Sequence, residues 1–210
     1  MNARASYRER IAQVREESIV EAVNRLLATK GYDQMTVDEV AAEAGMAKAS
    51  LYKHFTSKEE LAGAAMVRVL DRALEFLANQ RAAVGPEAAA TSAGALQCLK
   101  AVAAWAMQCQ LEGSMPALPS QNSSLTESLK SNEAYMDRLV ELSNQLGTWI
   151  TLAQTGGALR PELPAELILY ALFARACDPV AGMLKASGQY EDSQIVDWIT
   201  STTFDGLGPR

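Results

Sequence analysis

Histidine is nearly absent from this 210-residue chain, with His54 the single example. Without a second imidazole, His-rich metal sites are excluded, and a triad using histidine as base would have to be built around that one residue. Cysteine is scarce as well: Cys98, Cys109 and Cys177 are an odd number at no metal-ligand spacing, as expected of reduced, buried thiols. Cys98 and Cys109 share one face of a predicted helix. They lie roughly 16 Å apart along its axis, too far for a disulfide. No metal or cofactor is expected. The alternation of Val, Ile and Thr between turn residues that marks strands is missing, so an all-α fold is predicted. The charged start, MNARASYRER, and the lack of a following 18-residue apolar run are read as removing a signal peptide and a membrane span, giving a cytoplasmic expectation. The later chain has no glycine-rich phosphate loop and no nucleophile motif, which disfavours an enzyme.

What is present is a globular composition, 49% hydrophobic and 21% charged, with a net charge of -6. The excess acid is concentrated late. Residues 1–60 hold 9 Lys and Arg against 10 Asp and Glu, the remainder 10 against 15. Early basic groups cluster: Arg4, Arg8, Arg10 and Arg15 face only Glu9 among the first 15 residues, and no acid separates Lys48, Lys53 and Lys58. A local basic face counts for more than total charge in contact with phosphates.

A first helix is predicted over 7–29, with Ile11, Val14, Ile19, Val23, Leu26 and Leu27 as its apolar stripe and Lys30-Gly31 as its stop. Thr36 to Glu39 reads as a capping box opening a helix that Gly45 breaks. A short helix over 47–54 follows, and Ser57 to Glu60 is a second capping box opening a helix towards Asn79. Beyond Gly85-Pro86 a nearly enclosed helix is expected over 87–111, then a loop over 112–124 and helices to about Gln154. A very apolar helix over 165–187, interrupted at Pro179, and a last helix over 192–204 complete the chain. The division expected is 1–56 and 57–210.

Two short helices joined by a glycine turn and braced by a longer one form a helix-turn-helix, whose second helix presents its N-terminal residues to base edges in the major groove. Here these are Lys48, Ala49 and Ser50, able to donate to guanine, touch a thymine methyl and bond several bases. Thr36, Tyr52, Lys53, His54 and Lys58 are suited to phosphate oxygens. An ordinary helical hairpin with a solvated lysine face fits the same pattern.

The run from Gly31 to Phe55 (GYDQMTVDEVAAEAGMAKASLYKHF), followed by Ser57-Lys58-Glu59-Glu60-Leu61, resembles the DNA-binding domain of the TetR family of transcriptional regulators. The likeness covers roughly residues 10–65, about a quarter of the chain, with Leu51-Tyr52, His54-Phe55 and the later Lys58-Glu59 and Leu61 its most specific part. It implies a homodimer on a palindromic operator, and a C-terminal domain whose small-molecule ligand releases the DNA. One departure is Ala47, where family members often carry Ser or Thr as helix cap and phosphate contact.

The C-terminal part is read as ligand-binding and dimerising. Trp105, Met107, Tyr135 and Trp149, with Tyr170, Phe173 and Cys177, are candidates to line an apolar pocket. Arg175 and Asp178 form a candidate ion pair, and Trp198 and Ile199 in the last helix a candidate dimer contact. The leading expectation is a repressor released by a small, largely apolar ligand. The alternative is a helical partner-binding protein that senses nothing.

Overall fold

The computed structural model describes the backbone of residues 3–116 and 123–207, and the side chains of 14–116 and 123–206. Every regular element among them is a helix: α1 (Ala3–Gln34), α2 (Val37–Glu43), α3 (Lys48–Leu51), α4 (Lys58–Val84), α5 (Pro86–Ala89), α6 (Ser92–Leu111), α7 (Ser124–Lys130), α8 (Glu133–Thr155), α9 (Ala165–Arg175), α10 (Pro179–Ala186) and α11 (Asp192–Leu207). The all-α expectation holds. Several boundaries differ. α1 is kinked rather than stopped at Gly31, whose φ of 75° is left-handed, and three more residues follow before it ends. The helix expected over 87–111 is two, because Thr91 caps a new start by accepting from the Gly94 N–H. α3 is regular for only four residues; its last carbonyls accept from Lys53 and His54 at the tighter i→i+3 spacing.

The chain forms two compact units, Met1–Arg68 with Pro116–Met136, and Val69–Met115 with Asp137–Arg210. A cut after residue 56 does not follow this packing. Leu61, Ala62, Ala65 and Met66 in the first turns of α4, together with Leu125 and Leu129 of α7, share one core with Ile19, Val23 and Leu27 of α1, Val40 of α2 and Leu51 of α3. Val14, expected on the apolar stripe of α1, is 64% exposed, since that core begins only at Ile19; Ile11, Arg4, Arg8 and Arg10 lie outside the described side chains.

In the second unit α6 is central, as its nearly unbroken apolar sequence predicts. Cys98, Leu99 and Val102 pack with Leu146, Trp149 and Ile150 of α8 and with Ile168 and Leu172 of α9. Met107 and Leu111 pack with Ala181 of α10 and Ile195, Val196 and Ile199 of α11. The stretch Ala165–Ala186 is, against the reading of the sequence, long and apolar enough by composition to cross a membrane, with a hydropathy of 1.5. It is not one helix, however. Asp178 breaks it, accepting from the Val180 N–H at 2.8 Å as the cap of α10, ahead of Pro179 at the first position. The expected Arg175–Asp178 pair forms at 2.6 Å, with the Asp178 side chain 2% exposed. Gln110 of α6 clamps the break, donating to the Asp178 carbonyl at 2.9 Å and accepting from its N–H at 3.0 Å.

Candidate nucleic-acid interface

Thr36 opens α2 through the expected capping box: its hydroxyl accepts from the Glu39 N–H, and the Glu39 carboxylate accepts from the Thr36 N–H at 3.1 Å. The bond from Lys30, with those from Thr36, holds the Glu39 carboxyl below its ordinary range. α2 ends as its glycine dictates. Gly45 takes a φ of 66°, its N–H bonds the Ala42 carbonyl, and the Met46 N–H bonds that of Ala41. This is a Schellman ending, which aims the chain into α3. Ala47 sits at the N-cap of α3 with no side-chain bond, so the free N–H groups there are not closed off by their own chain.

Around that helix start the candidate side chains gather on one unit. Lys48 and Ala49 are exposed and Ser50 is half-buried, while Leu51 and Phe55 anchor the helix in the core. Tyr52 is 46% exposed at the end of α3, followed by exposed Lys53 and half-buried His54. At the start of α4 the Ser57 hydroxyl accepts from the Glu60 N–H at 3.0 Å, as a cap. The return bond of this second box is displaced by one residue: Glu60 accepts from the Thr56 N–H and hydroxyl, which lower its carboxyl pKa. Lys58 lies 4.3 Å over the Tyr32 ring, a cation–π contact that ties α4 to the end of α1.

Sequence reasoning missed one residue of this surface. Asp38, on α2, accepts from the Lys48 ammonium at 2.9 Å, and that bond raises the lysine's pKa. The other acids of α2 are paired too, Glu39 with Lys30 and Glu43 with Arg25. Ten residues separate Asp38 from Lys48, and only the Gly45 turn brings them together.

The candidate pocket residues of the second unit do not converge. Trp149 alone lines a cleft of about 620 Å³ between the end of α4, α5 and α8, together with Ala78, Arg81 and Leu152. Trp105 stacks on Phe76 at 5.0 Å, Met107 is sealed beside Ile195, Phe173 packs against the larger core and Cys177 is half-buried. Tyr170 is 65% exposed. Tyr135 belongs to the first unit, where burial raises its pKa. The cleft is open on one side rather than enclosed, and small residues make its space. Ile199, expected at a dimer contact, is buried in its own chain; Trp198 is 47% exposed with an edge-on contact to Tyr190.

Residues 36–58 thus have the geometry of helix-turn-helix DNA-binding proteins, with an exposed, uncapped helix start flanked by cations. Residues 19–65 match the family model of bacterial regulatory proteins, tetR family. An uncharacterised HTH-type transcriptional regulator of Mycobacterium tuberculosis is 37% identical over 68 residues, 32% of this chain but only 31% of that protein's length. Solved structures share the fold across nearly the whole chain. The regulator FadR of Bacillus subtilis, in complex with stearoyl-CoA, matches with a TM-score of 0.60 at 18% identity, over 91% of this chain and 98% of that one. AibR, in complex with isovaleryl coenzyme A and operator DNA, matches with a TM-score of 0.57 at 19% identity, over 90% and 98%. Residues 19–65 are thus similar to the DNA-binding segment of the tetR family, and the fold of the whole chain is shared with solved transcriptional regulators.

Proposed function

We propose that this protein is a cytoplasmic, homodimeric DNA-binding transcriptional regulator, a repressor released from a palindromic operator by a small, largely apolar ligand. The observation that carries the reading is the start of α3: Lys48 and Ala49 stand exposed, with Ser50 half-buried beside them, on a helix whose N-cap residue makes no side-chain bond. Lys48 and Ser50 then donate to base edges and Ala49 contacts a thymine methyl. Thr36, Tyr52, Lys53, His54 and Lys58 contact phosphates and fix the register. The hydroxyl of Thr36 already donates to the Glu39 carboxylate, so it reaches a phosphate oxygen only by turning its O–H away from that carboxylate.

The homodimer reading is supported by exposed apolar side chains on the last three helices. Leu167 and Tyr170 of α9 and Val180 and Met183 of α10 are 50–72% exposed, at i, i+3 spacing in each helix, and Trp198 of α11 adds to them. Such side chains mark association surfaces when contiguous. Ligand response is supported by FadR and AibR, whose structures hold acyl-coenzyme A ligands. Selection of bound sequences from a randomised duplex pool tests the whole reading. Two inverted half-sites about one helical turn apart, ~34 Å, or somewhat more, are expected. Enrichment of no sequence, or of an unpaired half-site, contradicts it.

A further inference from the structure

We propose that the cleft between the end of α4, α5 and α8 is a binding site for an amphipathic organic monoanion, its apolar body in the trough and its carboxylate on Arg81. The inference rests on the ligand-responsive reading above and gives that ligand a chemical class. At about 620 Å³ the cleft falls within the usual range for small-molecule sites. Its walls explain why the space exists. Ala78 and Ala82 follow one another a helical turn apart on α4, and Ala89 stands on α5, so three methyl groups occupy positions where larger side chains would close the gap. Trp149, 6% exposed and held by the core beneath, forms an apolar floor.

The polar groups are few and differ in what they offer. Arg81 is the one charged residue lining the cleft, and its guanidinium makes no hydrogen bond or ion pair among the described residues. Its neighbours are already engaged: the Thr148 hydroxyl donates to the Asn144 carbonyl, and the Gln145 amide donates to Glu141. What is free in the cleft is therefore one planar guanidinium beside an apolar trough, the complement of a carboxylate on a hydrocarbon body. A single cation suits a single negative charge. The several phosphates of a coenzyme A head find no matching set among the lining residues.

Isothermal titration of the full-length protein with decanoate, 1-decanol and decanoyl-coenzyme A tests this, with release of pool-selected DNA measured in parallel. Decanoate is expected to bind, and Arg81→Gln to weaken it about tenfold while leaving decanol unchanged. Ala82→Phe is expected to weaken both by filling the trough; position 82 is exposed, so the fold survives, which a thermal melt verifies. No binding of decanoate, binding unchanged in both variants, or preferred Arg81-independent binding of the coenzyme A ester would overturn the site. Arg81-dependent binding that leaves DNA bound retains the site and removes the ligand-released repressor. Release by some other compound, untouched by both variants, does the reverse.

Discussion

Asp38 decides how Lys48 is presented. A lysine free to swing would bond the nearest phosphate; one held by a carboxylate 2.9 Å away keeps its head near the start of α3. Replacing Asp38 with Asn should therefore raise affinity for all DNA, flatten sequence preference and steepen the salt dependence by about one unit of slope. Lys48→Ala should change which sequences are bound, and Lys58→Ala should weaken all of them with a slope shallower by about 1. Binding titrations on selected and scrambled duplexes at several salt concentrations separate these outcomes; identical behaviour of the two lysine variants would mean that neither reads bases. Acid acts on the same unit. The Glu60 carboxyl is lowered from 4.5 by bonds from Thr56, and that of Glu59 is lowered by the Tyr32 hydroxyl first. A depressed carboxyl stabilises fully above its ordinary pKa and loses that contribution as the pH falls through the folded value. The melting temperature should drop below pH 4.5, and less steeply in Glu60→Gln; equal slopes would remove Glu60 from the acid response.

Turns and breaks carry the helices into place, and each depends on a small number of atoms. Gly45 holds a φ of 66° between α2 and α3, a conformation that costs a side-chain-bearing residue roughly 1–2 kcal/mol. Gly45→Ala should lose about that much in denaturant unfolding, and Gly45→Asn less, because asparagine tolerates the left-handed region. Gly94 answers a different demand. A Cβ there would stand 2.0 Å from the Ala88 carbonyl oxygen, a backbone atom that cannot swing aside. Gly94→Ala should cost ~1–3 kcal/mol through displacement of α5 from α6, measured by the same unfolding curves. An unchanged midpoint would show that the α5–α6 corner yields freely.

The proposed association of two chains would cover apolar side chains that stay exposed among the described residues. Tyr170→Glu with Met183→Glu places charges on exposed positions and leaves the core intact, so the protein should fold, sediment as a monomer and lose its preference for paired half-sites. Ile199 is unsuitable for this test, since a charge there would be buried beside Met107 and Ile195. A dimer of unchanged mass in the Tyr170/Met183 variant would move the interface elsewhere. The thiols of Cys98 and Cys109 are sealed, and burial pushes both pKa values up. They should resist a thiol reagent until the protein unfolds, and oxidation should not control DNA binding.

What sequence alone determined is what lies within one helical turn of itself. The Thr36–Glu39 box, the Gly45 ending, the Arg175–Asp178 pair and the break before Pro179 all follow from i to i+4 spacing, because the helical backbone fixes those distances wherever the helix goes. The helix-turn-helix was legible for that reason, its signals being short-range and dense. The pairing of Asp38 with Lys48, the joining of Leu125 and Leu129 to the core of α1, the enclosure of Ile199 and the choice of Trp149 over Trp105 for the cleft were not. Each depends on where separate helices cross. An apolar side chain carries a preference for burial but no address, so only the packed fold decides which of them face a neighbour, a cavity or water.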